Sequence, residues 1–313
     1  MNDSSTREAS LRAFAKINLS LRILYRRPDQ YHELRSVFQT ISLADDLRIR
    51  FTKARQTAIT IDGNVDIADN LIERAARLCL DEMRVTGDIG FTLRKRIPMG
   101  AGLGGGSSDA AAVLLALPVL AGGLIPLERL IPLAAQLGSD VPFFLLGGTA
   151  VGLGRGEELY PLPDQEPARG VIVAPSIHVS TADAYRAIGV RLTTHSQQNK
   201  LVSFQSETWR ERLGESGNDF EDVVFDLHPT LKSIRSRLSA LGAEPAMMTG
   251  SGSAIFGIFR SPDDIRRALE SFKEEAIYPI SFVSRARYRS GWLRRLRPHI
   301  QGDLWPPQSR YAQ

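Results

Sequence analysis

Residues 98–112 read PMGAGLGGGSSDAAA, with five glycines among the seven positions from Gly100 to Gly106, and no other stretch constrains the fold as tightly. Each glycine costs on the order of 0.5–1 kcal/mol in ordering entropy, and a tight turn needs only one or two. Backbone without side chains lets N–H groups come close to a ligand. SSDAAAVLLALPVLAGG then reads as a helix that starts near Ser107 or Ser108 and stops before Gly122 and Gly123. The unpaired N–H donors and positive dipole end of such a helix start make an anion cradle. The competing reading is a glycine turn that allows tight packing.

Two familiar cradles fail against this stretch. A Walker A loop requires a lysine after its last glycine, and Gly106 is followed by Ser107. Gly100, Gly102 and Gly105 satisfy G-x-G-x-x-G, but no βαβ unit opens the chain. The acidic residue about twenty positions on, Glu128, falls in a predicted helix and not at a strand end.

The rest of the chain reads as α+β. In AFAKINLSLRIL, Ile17, Leu19, Leu21 and Ile23 alternate with Lys16, Asn18, Ser20 and Arg22, a half-buried strand with Lys16 and Asn18 on one side. Alternation recurs at Leu47, Ile49 and Phe51, at Ile59 and Ile61, and at Ile89, Phe91 and Leu93, so a mostly antiparallel sheet opens the chain. A helix from about Asn70 to Met83 interrupts it. Prolines gather in PLPDQEPARG, residues 161–170, which marks a boundary. At 313 residues the chain is long enough for two cores, here residues 1–160 and 161–293, with a tail at 294–313. Beyond the boundary, strands VIVAP and AIFGIF alternate with helices in TADAYRAIG, HPTLKSIRSRLSALG and SPDDIRRALESFKEEA, the last capped by Ser261.

Charge and cysteine content remove some alternatives. Six arginines crowd SRARYRSGWLRRLRPH, and subtracting them from the net +4 leaves the rest of the chain near −2. A nucleic-acid surface is therefore not expected, and the arginines read as a solvated strand end and tail. Cys79 falls on the apolar face of its helix and reads as a buried residue. No apolar run reaches the roughly 18–20 residues of a membrane span, and the start, MNDSSTREAS, is too polar for a signal peptide. The cytoplasm is the expected location, with no membrane partner.

The glycine stretch resembles the P-x-x-x-G-L-G-S/G-S-A-A loop of the GHMP kinases, the superfamily of galactokinase, homoserine kinase and mevalonate kinase. AKINLSL, YHELRSVFQTISLADDL, DNLIERAA, LGSDVPFFLLGGTAVGLGRGEEL and MTGSGSAIFGIF extend the resemblance, in order, over about residues 11–275. Together they are similar to a branch whose alcohol substrate carries a cytidine diphosphate. One departure is Gln30, where that branch usually has glycine before the Tyr-His pair.

The resemblance implies a two-domain GHMP kinase fold. A ribosomal-S5-like ATP-binding domain comes first and a ferredoxin-like α/β sandwich second. It implies ATP-dependent phosphorylation of a hydroxyl on a small molecule with a cytidine diphosphate moiety, by a monomer or homodimer. Pro98, Gly100, Gly102, Leu103, Gly104, Gly105, Gly106, Ser107 and Ser108 would hold ATP, with the hydroxyl of Ser107 or Ser108 on Mg²⁺. The magnesium follows from the chemistry alone, since the five histidines are scattered.

Asp140 matches the catalytic aspartate and Lys16 the lysine that works with it, with Asn18 beside Lys16 on the substrate side. An aspartate of ordinary pKa, roughly 4, suffices in a loose transition state, because the proton leaves the hydroxyl late. Read without the resemblance, Asp140 is a helix N-cap before Val141-Pro142, and Lys16 is a solvated strand residue. Tyr31 and Tyr185 match rings that sandwich cytosine and His32 a group that reads its polar edge; otherwise they are core tyrosines and a surface histidine. Asn70 matches an adenine-pocket asparagine and is also a helix cap. Thr249, Gly250 and Ser251 form either an anion nest for the substrate diphosphate or a tight turn into a strand. A member that binds nucleotide without turnover, and a homoserine or mevalonate kinase, are the alternative functions. The first is opposed by the presence of Lys16, Asp140 and the serines, the second by the aromatic set.

Overall fold

The structure is a computed structural model that describes residues 5–29, 31–192 and 217–300. Gln30 and the tail beyond residue 300, both singled out in the sequence, lie outside the described residues. Two long strands, β1 (Arg7–Arg26) and β2 (His32–Lys53), form an antiparallel ribbon with Arg7 opposite Phe51 and Arg26 opposite His32. β3 (Ala58–Gly63), β4 (Gly87–Arg94), β5 (Thr149–Leu153) and β6 (Glu158–Pro161) extend the ribbon, and β8 (Gly217–Asn218) joins from the far side. The sheet is mostly antiparallel, with parallel pairing only between β3 and β4 and between β1 and β8 among the described strands.

Helices α1 (Leu71–Met83), α2 (Gly105–Leu120), α3 (Leu127–Leu137) and α4 (Val141–Leu146) cover this sheet. α2 is apolar around its whole circumference and is buried from Ser108 to Leu120, as a helix without a polar face must be. Cys79 is buried in α1, where loss of solvent pushes its thiol pKa up.

The second sheet runs β11 (Ile277–Ser281), β7 (Arg169–Val173), β10 (Ile255–Phe259), β9 (Ala246–Met248). With α5 (Thr181–Leu192), α6 (Glu221–Leu227) and α7 (Pro229–Ala240) between β7 and β9, and α8 (Pro262–Ser271) between β10 and β11, this is the ferredoxin-like order. The Ser261 hydroxyl accepts from Asp263 N and caps α8.

Two expectations change. The arginine-rich end is not a solvated strand end but helix α9 (Arg285–Leu296), on which Tyr288, Trp292 and Leu296 form a buried stripe at i, i+4, i+8. These residues join the core of the first sheet. β1 is also more than half-buried around Lys16. Ala15 and Ile17 enter an apolar cluster with Ile172, Met247 and Phe256 of the second sheet, while Lys16 and Asn18 on the opposite face are buried too.

Candidate active site

Register shifts interrupt the β1–β2 ladder between Phe14 and Lys16 and again between Asn18 and Ser20. Such irregularities re-aim side chains, and here they bracket the two polar residues that β1 turns toward a cavity of about 440 Å³. Lys16 Nζ donates to Asn18 Oδ1 at 2.8 Å and lies 3.3 Å from Asp140 Oδ2, with the Phe38 ring 5.4 Å below it. Asn18 Nδ2 donates to Ser36 Oγ at 2.6 Å, and Asn18 Oδ1 also accepts from the Thr249 hydroxyl at 3.1 Å. The amide is thus fixed at both ends.

Asp140 occupies the position before α4, yet its side chain makes no capping bond. Pro142 in the first turn lacks one of the N–H groups a cap would serve. The carboxylate instead faces Lys16 with about a third of its surface open to the cavity. The geometry therefore separates the two readings of Asp140, as an ion-pair partner and not a cap.

The glycine loop passes between the two sheets. Leu103 and Ala101 are buried in the inter-sheet cluster, so Leu103 offers the cavity only backbone, and its carbonyl accepts from Lys16 N at 3.0 Å. Gly102 and Gly104 have φ of +78° and +70°. A Cβ on Gly102 would overlap the Thr249 carbonyl, and one on Gly104 would stand 2.9 Å from Phe144 Cζ and 3.2 Å from Lys16 Cγ. Packing and anion binding are thus not alternatives: close approach of protein to protein already demands glycine at two of these positions. Gly106, exposed, has only Leu71 in ordinary contact.

α2 begins at Gly105 without a side-chain cap, and the first N–H bonded back into it is that of Ser108, to Gly104 O at 2.9 Å. The preceding N–H groups stay available to an anion. Ser107 is half-buried beside Gly138, whereas Ser108 is 1% exposed and its buried Oγ has no hydrogen-bond partner among the described residues. Pro98 leads into the loop, and Gly100, Gly102 and Gly104 line the cavity.

At the other side of the cavity, Tyr185 of α5 is stacked on His32 with centroids 5.1 Å apart and meets Phe220 edge-on at 4.8 Å. Burial and then the Asp140 charge push the Tyr185 hydroxyl up to about 12, so it stays protonated. His32 has its pKa lowered by burial and by Arg26, and its buried Nε2 has no partner among the described residues. Tyr31 is exposed and lies under the Arg155 guanidinium at 4.8 Å. The ring against the face of Tyr185 is therefore His32, while Tyr31 lies against Arg155, which lines the cavity.

Thr249 is fully buried, with its hydroxyl also 3.3 Å from Gly102 O and accepting from Asn18 N at 3.1 Å. It ties the second glycine cluster to the loop and to β1 and is not among the residues that line the cavity. Gly250 and Ser251 do line it, and Ser251 Oγ lies 2.8 Å from Thr181 Oγ1. Asn70 caps α1 by accepting from Ile72 N at 3.0 Å, and it stands in the wall of a second cleft of about 420 Å³ lined by Ile59, Ile61, Ile67 and Leu93.

Sequence reasoning missed Ser36, Arg155 and Thr181. Arg155 sat in plain view between two glycines in LGRGE, a spacing that frees a side chain to reach sideways. Nothing in the spacing of Ser36 or Thr181 marks them. Among the described residues, no three His, Cys, Asp or Glu side chains gather as a metal site. No helix there is long and apolar enough to cross a membrane.

The chain matches the GHMP kinases N terminal domain over residues 70–148 and the GHMP kinases C terminal over residues 201–277. It is 60% identical over 313 residues to a 4-diphosphocytidyl-2-C-methyl-D-erythritol kinase from Solibacter usitatus, covering 98% of this chain and 99% of that one. The kinase of the same name from Geobacter metallireducens is 39% identical over 264 residues, covering 84% and 93%. A crystal structure of 4-(cytidine 5'-diphospho)-2C-methyl-D-erythritol kinase superposes with a TM-score of 0.72 at 38% identity, over 87% of this chain and 98% of that one. An L. major mevalonate kinase shares the fold, with a TM-score of 0.67 at 18% identity over 90% and 98%.

Proposed function

The chain belongs to the GHMP kinases, in the family of the 4-diphosphocytidyl-2-C-methyl-D-erythritol kinases, and from that premise we propose how its own residues carry the reaction. It transfers the γ-phosphoryl group of ATP to the 2-hydroxyl of 4-diphosphocytidyl-2-C-methyl-D-erythritol in the non-mevalonate route to isoprenoid precursors. The products are the 2-phosphate and ADP. The observation that carries the residue assignment is the Lys16–Asp140 pair, 3.3 Å apart in the wall of a cavity that the glycine loop also lines.

Phosphoryl transfer asks the protein for alignment and charge neutralisation more than for covalent chemistry. The N–H groups of Gly105, Gly106 and Ser107 receive the ATP phosphates. The cleft beside Asn70, where Ile59, Ile61 and Ile67 stand opposite charged residues such as Glu73 and Arg77, takes the adenine, with the asparagine fixed by its capping bond. Asp140 orients the substrate hydroxyl and accepts its proton as the new O–P bond forms and the bond to the β-phosphate oxygen breaks. Lys16, held by Asn18, keeps the carboxylate in place and offsets charge on the transferring group.

The hydroxyl of Ser107, half-buried at the start of α2, fits a magnesium ion that would be carried in with the nucleotide, and Asp140 stays with the substrate hydroxyl. When bound, the ion would offset negative charge on the nucleotide phosphates. Of the two serines, Ser107 suits this role, because the Ser108 hydroxyl is sealed from the cavity side. Tyr185, His32 and Tyr31 recognise the cytosine, for which a neutral histidine edge and flat phenol faces are the appropriate groups. Phosphorus NMR and mass spectrometry of the product test the assignment: a new phosphomonoester on the 2-oxygen is expected, and a phosphate elsewhere on the polyol would overturn the placement of the hydroxyl.

A further inference from the structure

Beneath the first turn of α2 lies a buried ionic cluster that the reaction, as described, does not use. Lys95 Nζ donates to Asp45 Oδ2 of β2 at 2.5 Å and to Asp109 Oδ2 of α2 at 2.8 Å, and all three side chains are at most 5% exposed. Asp45 Oδ1 accepts from Arg96 N at 2.6 Å and Ile97 N at 2.9 Å. A Cβ on Gly105, the first residue of α2, would stand 3.1 Å from Lys95 Nζ.

These contacts close a circuit around the phosphate loop. Residues 95–97 lead into the loop, and Gly105 to Asp109 lead out of it. Asp45 with the Lys95 ammonium clamps the first segment to β2, and Asp109 on the same ammonium clamps the second to the first. The glycine-rich span between them has the largest backbone entropy available to a chain, so the positions of its two ends decide where its N–H groups point. For stability alone, apolar residues of similar volume serve as well as a buried ion cluster, which favours a role in fixing one arrangement.

We propose that Lys95 is a positioning residue for phosphoryl transfer, setting the height of the first turn of α2 and thereby the N–H groups that receive the nucleotide phosphates. This rests on the reading that the glycine loop takes ATP. The charged groups facing Asp109 are Lys95 and, across the same ammonium, Asp45.

The test compares steady-state kinetics and ATP binding by titration calorimetry for the full-length protein, Lys95→Met combined with Asp109→Asn, Lys95→Arg, and Asp109→Asn alone. The double variant leaves only Asp45, which keeps its two backbone donors. It is expected to raise the KM for ATP about tenfold or more while the KM for the alcohol moves less than about twofold. Asp109→Asn, which retains an oxygen for the ammonium, is expected to move the ATP constant far less than the double variant does. If the double variant does not fold, Lys95→Arg reads the same quantity, since a rigid fork cannot occupy the space left by Gly105 without shifting α2. A folded variant lacking or replacing Lys95 that keeps the parental KM for ATP overturns the inference. Absence of ATP binding by the parent protein would instead overturn the loop assignment on which it stands.

Discussion

Lys16 Nζ lies 3.3 Å from Asp140 Oδ2, although one residue sits on the first strand and the other precedes α4. The pair forms because Asp140 makes no cap for its helix, and because Asn18 at 2.8 Å anchors the ammonium from the opposite side. Removing the acceptor while keeping its shape is therefore the sharpest perturbation. Asp140→Asn is expected to lower kcat by roughly 10²–10⁴ and to leave the KM for ATP within a few-fold. Steady-state kinetics with ATP varied at saturating alcohol check this, and a fully active variant would remove the general-base role.

Tyr185 packs against both His32 and Phe220 and lines the cavity, away from the glycine loop. Tyr185→Ala is expected to raise the KM of the cytidyl alcohol by about tenfold or more and to leave that of ATP nearly unmoved. An equal rise for both substrates would contradict the division of the cavity between them.

Gly104 and Gly106 are neighbours with opposite tolerance. Gly104 has φ +70° and faces Phe144 and Lys16, whereas Gly106 meets only Leu71 at 3.7 Å. Gly104→Ala is expected to destabilise the protein by about 1–3 kcal/mol, and Gly106→Ala to change stability by less than about 0.5 kcal/mol. Urea titrations measure both values. Equal stabilities would mean that the loop does not hold the backbone conformation described.

Much of this arrangement was legible in the sequence. Alternation placed Lys16 and Asn18 on one strand face, and the glycine run before SSDAAA marked the helix start, because both are local patterns. The choice at Asp140 was not legible, since capping and ion pairing demand the same residue, and only the arrival of Lys16 from a distant strand decides between them. The glycines showed the same limit. Their number suggested a ligand, yet at Gly102 and Gly104 the demand comes from Thr249 and Phe144, which no local spacing connects to the loop. At the C-terminal end, charge drowned a readable signal: Tyr288, Trp292 and Leu296 keep helical spacing among the arginines, and the Tyr288 hydroxyl donates to Phe144 O at 2.6 Å. The Lys95 cluster draws on three elements and leaves no trace in any one of them.

The cluster also has a signature in stability. The folded-state pKa of Asp109, about 7, lies above its ordinary value of 3.8, so the folded protein binds an extra proton between those limits. The contribution of this group is fully present below about pH 4 and is lost as pH rises through about 7. Thermal midpoints of the parent and of Asp109→Asn, taken from pH 5 to 8, are expected to converge at the acidic end and to separate in favour of the variant at the alkaline end. A constant difference across that range would contradict the raised carboxyl.

The most direct measurement is ADP release by the purified protein with Mg²⁺ and ATP, comparing 4-diphosphocytidyl-2-C-methyl-D-erythritol with mevalonate, homoserine and no acceptor. The account predicts turnover of the cytidyl alcohol at least about 10²-fold above the other acceptors, because only that substrate engages Tyr185 and His32 as well as the Lys16–Asp140 pair. Comparable turnover of mevalonate or homoserine, or ATP binding with no turnover of any acceptor, would contradict it.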